Sequence, residues 1–276
     1  MSEPDDGFRG VVAEVVARLL DALDALEFIG RHMHPADIGS LAATLGERDG
    51  ALLAALQPFA AAAWPDHLAP FRDRIGLAAE ATLRACDGLR EAAGSVEGLR
   101  QAYRALRQVN RALEALYPLA ALLPSVSRFF VEPERRADQA LLDRLAVGAA
   151  RPDARVGAMH AGNETSERGG FSVYVPEDYD AARAYPLVMA LHGGSGHGRL
   201  FLWSWVREAR SRGVIVVAPT AIGDTWSLME PAVDSGNLAR VLDQVAQEWR
   251  VDPTRLLLTG MSDGGTFTLL SGLDEE

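Results

Sequence analysis

Through the first half of the chain, apolar residues recur at three- and four-residue steps, the spacing that lines one face of an α-helix. Val12, Val15, Val16, Leu19, Leu20, Leu23 and Leu26 form the first such stripe, and Gly30 marks its stop. Pro35 suits the opening of the next helix, because a first-turn residue has no intrahelical partner for its N–H. Leu68, Phe71, Ile75, Ala79, Leu83, Cys86 and Leu89 make another long stripe. The clearest one, Val96, Leu99, Tyr103, Leu106, Val109, Leu113 and Leu116, predicts a helix over 96–117, about 33 Å long at 1.5 Å per residue. Pro118 and Pro124 punctuate its end, and Pro133 opens a last helix through Leu145. Amphipathic helices parted by short Pro and Gly breaks predict an antiparallel bundle over 1–147, its stripes forming the bundle's own core. The same stripes could instead serve as an interface or as a lid.

From about residue 170 the period changes. Phe171-Ser172-Val173-Tyr174-Val175 alternates apolar and polar and predicts a half-buried or edge strand ended by Pro176. Pro186–Leu191 and Val214–Ala218 are continuously apolar, as strands buried on both faces should be, and Arg255–Gly260 follows as a third. Arg199–Arg212 and Ser235–Trp249 read as helices between them. Strand–helix–strand alternation implies right-handed crossovers and a parallel sheet. Gly148–Gly170 has no period and is polar and Gly-rich. The expectation is therefore a helical bundle domain (1–147), a linker (148–169) and an α/β domain with a parallel-sheet core (170–276).

Charge and composition narrow the partners. The 276 residues carry a formal net charge of −11, which argues against nucleic acid or an anionic membrane surface. No apolar run is long enough to span a bilayer, and the acidic start Met1-Ser2-Glu3-Pro4-Asp5-Asp6 is unlike a secretory signal, so a cytoplasmic location is expected. The single cysteine, Cys86, sits in a helical stripe and reads as a small core filler. His32 and His34 stand two residues apart, pointing to different sides of a helix with no thiol or carboxylate cluster nearby, so no metal site is expected there. No cofactor is expected.

The chemistry is concentrated in two Gly-rich turns. Gly260-Met261-Ser262-Asp263-Gly264 fits G-x-S-x-G and lies between a buried strand and a further apolar helical run. In that setting the serine occupies a sharp strand-to-helix turn that lifts its hydroxyl above the sheet edge, and the glycines leave room for neighbouring backbone. The second turn, His192-Gly193-Gly194-Ser195-Gly196, follows the earlier central strand. A carbonyl attacked by Ser262 becomes an oxyanion needing two fixed N–H donors, and the expected ones are those of Asp263 and Gly194. His192 is read as a structural hydrogen-bonding residue of the loop. A phosphate-binding reading of this turn lacks the Gly-Lys-Ser/Thr that would support it.

Residues from Phe171 through Leu187–Gly194, Val214–Pro219 and Leu256–Gly265 resemble the phospholipase/carboxylesterase group of α/β hydrolases, over roughly 168–276. The resemblance implies a small ester substrate, Ser262 as nucleophile, Gly194 and Asp263 as oxyanion donors, and Trp226 facing the acyl pocket. It also implies an acid and a histidine on later strands, and no histidine follows Ser262 in the 276 residues. Both are expected beyond residue 276, so this chain alone should show little esterase activity. Upstream His160 and His197 are the substitutes to consider. Competing expectations are peptidase, thioesterase or acyltransferase chemistry on the same scaffold, and a non-catalytic helical binding or homo-oligomerisation protein carrying a degenerate hydrolase remnant. The helical half resembles no family.

Overall fold

The computed structural model describes residues 6–149 and 154–272; the acidic ends and residues 150–153 of the expected linker lie outside them. The chain divides into two compact units, Met1–Val126 and Ser127–Glu276.

The first unit is all helical, with α1 (Asp6–Arg31), α2 (Ile38–Ala43), α3 (Arg48–Ala61), α4 (Ala69–Ala93) and α5 (Gly98–Leu116), before the short α6 (Pro124–Phe129) at the boundary. Its core takes Leu19, Leu23, Leu26 and Ile29 from α1, Leu52 and Phe59 from α3, Ile75, Cys86 and Leu89 from α4, and Val109, Leu113 and Leu116 from α5. These are largely the residues of the sequence stripes. The four-residue turn between α4 and α5 makes them a helical hairpin, and Gly88 lets α4 approach Ala105 of α5 closely. Pro35 opens a 3₁₀ turn that runs into α2. Among the described residues no helix is long and apolar enough to cross a membrane.

The second unit is mixed α/β. After α7 (Gln139–Ala149) come β1 (Gly157–Ala161), β2 (Phe171–Val175), β3 (Tyr185–Leu191), α8 (Gly198–Phe201), α9 (Val206–Arg212), β4 (Ile215–Pro219), α10 (Ala232–Glu248), β5 (Val251–Gly260) and α11 (Asp263–Gly272). The sheet order is β1-β2-β4-β3-β5. Only β4, β3 and β5 run parallel, whereas β1 pairs antiparallel with β2 and β2 with β4. The sheet is thus mixed rather than wholly parallel. Phe171, Val173, Leu187, Met189, Ile215 and Val217 share its core with Leu238, Val241 and Val245 of α10.

Three boundaries differ from the sequence reading. The stretch expected as linker contains β1, whose Gly-Ala-Met-His-Ala lacks the β-branched residues that advertise a strand. The unit boundary falls at Val126 and not near 147, because α7 and the turn before it are held by the α/β unit. Glu132 N–H donates to Ser211 Oγ at 2.8 Å, Arg207 lies 3.9 Å over the Phe129 ring, and the Gly148 backbone lies against that of Glu177. Finally, the single helix expected over 199–212 is broken by a 3₁₀ turn at Leu202–Ser204.

A buried ion pair ties this unit together. Arg210 Nε donates to Glu177 Oε1 at 2.9 Å, with side chains only 1% and 6% exposed. Tyr174 donates its hydroxyl to Glu177 Oε2 at 2.6 Å, and the remaining Arg210 nitrogens reach the carbonyl and hydroxyl of Ser127. At the opposite sheet edge, β5 has β3 as its partner strand among the described residues, and Leu256 (46%) and Leu257 (52%) are half exposed.

Candidate active site

Strand register builds the site. Leu191 at the end of β3 lies beside Gly260 at the end of β5, so the loops leaving these parallel neighbours start side by side. Met261 N–H donates to Leu191 C=O at 3.1 Å, extending the ladder one step into the turn. β4, on the other side of β3, ends at Pro219 and sends its own loop to the same edge. Carboxyl ends of adjacent parallel strands are where open sheets collect ligand sites.

At the turn between β5 and α11, Ser262 holds φ +53°, a left-handed conformation that is uncommon for a side-chain-bearing residue. The residue is exposed. Its glycine neighbours are demanded by close approach. A Cβ on Gly264 would enter the backbone of Leu191 and His192, and one on Gly260 would enter the backbone of Gly264. Beyond the turn Thr266 N–H donates to Ser262 C=O at 2.9 Å, so the serine sits at the head of a helix whose free N–H groups favour negative charge.

The second Gly-rich turn lies directly against the first. A Cβ on Gly193 would stand 3.5 Å from that of Ser262, and one on Gly194 would stand 2.5 Å from Asp263 Oδ2. Among the described residues, neither Gly194 N–H nor Asp263 N–H donates to a protein acceptor. The turn closes on itself through Gly196 N–H to Gly193 C=O at 2.9 Å, and Ser195, at φ +53°, donates its N–H to Asp224 C=O at 3.1 Å.

The 220–228 loop clamps both turns, and it contains residues that sequence reasoning missed. Thr225 Oγ1 donates to Asp263 Oδ2 at 2.6 Å, while Ser262 Oγ donates to Asp263 Oδ1 at 3.3 Å. Asp234, fully buried in the first turn of α10, accepts from Ile222 N–H at 3.0 Å and from Ser227 N–H and Oγ, both at 2.8 Å. An acidic residue in a first helical turn carries no signal that it will reach across to a loop. Only the fold brings these groups together.

Trp226 does not present itself to an open pocket. It is 1% exposed, packed between His192 (ring centroids 5.0 Å apart) and Phe267 (5.4 Å), with its indole N–H on His192 C=O at 2.7 Å. A buried indole needs a hydrogen-bond acceptor, and the base of the second turn supplies it. The expected pocket residue is instead the floor of that turn.

His192 is buried and fully engaged. Its Nε2 accepts from Ala221 N–H at 3.1 Å, so Nδ1 carries the proton and donates to Gly193 C=O at 2.7 Å. Burial is the main cause that pulls its pKa down from 6.5 to about 4. The imidazole is therefore neutral at pH 7, a strut between two loops. The unfolded chain takes up this proton near pH 6.5 and the folded chain only near 4, so folding stability falls as pH drops through that window. Acid titration of the midpoint of urea unfolding should show a loss of about 3 kcal/mol between pH 7 and 4 that His192→Gln removes. An unchanged acid limb in that variant would contradict the assignment.

The upstream histidines are also committed. His197 Nε2 meets Glu167 C=O at 2.9 Å, and its Nδ1 accepts from Arg199 N–H at 3.2 Å. His160 Nδ1 meets the buried Ser172 Oγ at 2.7 Å, in a network that the Asn163 amide extends to Thr220. His32 caps its own helix on Phe28 C=O, and His34 accepts from Ala36 N–H. Burial pushes the Cys86 thiol up to about 11, which suits the core filler role.

No family model matches the chain, and no curated protein matches it.

Proposed function

We propose that the chain carries the nucleophile and oxyanion half of a serine hydrolase acting on carboxylic esters. The observation that supports this most is Ser262 in a left-handed strand-to-helix turn, its hydroxyl exposed beside the Gly193-Gly194 turn. That closeness supports reading the turn as a nucleophile elbow beside a second loop able to supply an N–H donor, as in α/β-hydrolase sites. Ester carbonyl attack places negative charge where the N–H groups of Gly194 and Asp263 stand free. In this reading a general base and an acid must still act on Ser262, and the described histidines nearest in sequence, His192 and His197, are engaged elsewhere. Until a base reaches it, the Ser262 hydroxyl is a poor nucleophile that leans on Asp263.

A fluorophosphonate probe with peptide mass mapping tests the reading on the chain itself. The adduct forms on Ser262 at least tenfold faster than on exposed Ser40, because oxyanion donors stabilise the phosphonyl transition state. Ser262→Ala removes it. Equal rates at Ser262 and Ser40 would favour the non-catalytic, degenerate-remnant reading.

A further inference from the structure

We infer that the outer face of α5 is a docking surface for an acidic helical peptide. All 27 basic residues of the chain are arginines. Four of them, Arg100, Arg104, Arg107 and Arg111, are exposed on α5 at successive steps of four, three and four residues. At 3.6 residues per turn these positions fall within about 60° of arc, over roughly 16 Å of helix. The buried face, Ala102, Ala105, Val109, Ala112, Leu113 and Leu116, lies diametrically opposite. Against the four arginines α5 carries a single acid, Glu114, in a chain that is otherwise strongly acidic.

The other long helices of the unit are built differently. α1 pairs Arg18 with Glu14, and α4 pairs Arg84 with Glu80, each one turn apart. Around Arg104 the residues three and four away are Arg100, Gln101, Arg107 and Gln108; around Arg107 they are Tyr103, Arg104, Asn110 and Arg111. Like charges at these spacings repel. Among the described residues neither Arg104 nor Arg107 has an acidic partner, Arg111 reaches only Gln108 at 3.3 Å, and Arg100 meets Glu97 at a loose 3.7 Å in full solvent. A row of mutually repelling guanidinium groups is relieved by carboxylates at matching intervals. A second helix with Glu at i, i+4, i+7 and i+11 supplies them as paired hydrogen-bonded ions.

Stripe length and overall charge select this occupant over larger polyanions. Nucleic acid or an anionic bilayer extends well past 16 Å and so meets the field of the whole chain, whose net charge of −11 repels it. A short acidic helix is confined to the stripe.

The test uses the 276-residue chain and three probes. These are a fluorescent 16-residue peptide with Glu at i, i+4, i+7 and i+11, the same composition with the glutamates scrambled, and vesicles of 30% phosphatidylserine in phosphatidylcholine. Anisotropy shows the registered peptide binding at least tenfold tighter than the scrambled one, with affinity falling as salt rises. Arg104→Glu with Arg107→Glu, checked for unchanged helicity, weakens it by at least tenfold, and a peptide with Lys at the two middle positions and Glu at the outer two binds that variant instead. Equal affinity of the variant and the parent chain, equal binding of both peptides, or binding to vesicles in preference to the peptide would each overturn the proposal. None of these outcomes bears on Ser262 labelling, which tests a different unit.

Discussion

Replacing Glu177 by alanine is expected to lower the stability of the α/β unit by about 3–5 kcal/mol, the range for removing one partner of a buried ion pair. Arg210 then remains inside the unit without the Glu177 carboxylate that balances its charge, and Tyr174 loses the Glu177 oxygen that accepts from its hydroxyl. Neither group can turn to water, because Arg210 and Tyr174 are both fully buried. The magnitude comes from the stranded charge, since the attraction within the pair is largely offset by the cost of drying both ions. That distinction is measurable. Replacing both partners, Glu177→Leu with Arg210→Met, should recover more than half of the loss, although Ser127 then loses two hydrogen bonds. Urea unfolding followed by tryptophan fluorescence reads this unit once Trp64 of the other unit is replaced by Phe, because the remaining Trp203, Trp205, Trp226 and Trp249 all belong to it. A single substitution costing under 1 kcal/mol, or a double one costing as much as the sum of the singles, would show that the pair is not the tie described.

How legible the molecule was depended on the range of the interaction involved. Strands β3 and β4 were visible because Val, Ile and Leu cluster in short runs between Pro and Gly, a local signal set by burial on the sheet; β2, expected half-buried or at an edge, is wholly buried between β1 and β4, and β5, expected buried, is half exposed at Leu256 and Leu257. α5 was visible from apolar residues at helical spacing, although its first half buries Ala102 and Ala105 while Val96 and Tyr103 of the expected stripe are exposed. α3 carries no such signal: its Ala-rich sequence buries only Leu52, Ala55 and Phe59, and Pro58 stands inside it. β1 was hidden because a strand of Gly, Ala, Met and His owes its conformation to pairing with β2 rather than to its own side chains. The antiparallel β1–β2–β4 edge followed from pairings that no local pattern encodes. The two Gly-rich turns could be read as a matched pair, and the register of Leu191 with Gly260 brings them together. Thr225, Asp234 and the true station of Trp226 could not be read, because each acts through a partner remote in sequence. Trp226 illustrates the difficulty: an aromatic residue after a strand suits a pocket wall or a buried floor equally well until the partner of its indole N–H is known.

The second large effect is expected from a single methyl group. Gly264→Ala should destabilise the α/β unit by about 3 kcal/mol, at the upper end of the cost of overpacking, and abolish the preferential labelling of Ser262. The new Cβ would enter the backbone of Leu191 and His192, which cannot retreat as a flexible side chain would. Leu191 is held in register with Gly260 by the β3–β5 ladder, and His192 is fixed through its ring to Ala221 and through its carbonyl to Trp226. Relief therefore requires the head of α11 to move away from the second turn. That movement separates Ser262 from Gly193 and Asp263 from Gly194, so stability and labelling fall together. Gly236→Ala provides the control. Gly236 lies inside α10 with nothing within 4 Å of the added Cβ, so the same chemical change there should stabilise the unit by about 0.5–1 kcal/mol through helix propensity. Opposite signs for one substitution at two helical glycines would isolate the contact of the two turns from any general effect of glycine. If Gly264→Ala instead proves as stable as Gly236→Ala, the turns do not touch as described, and the proposed roles of Gly194 and Asp263 lose their support.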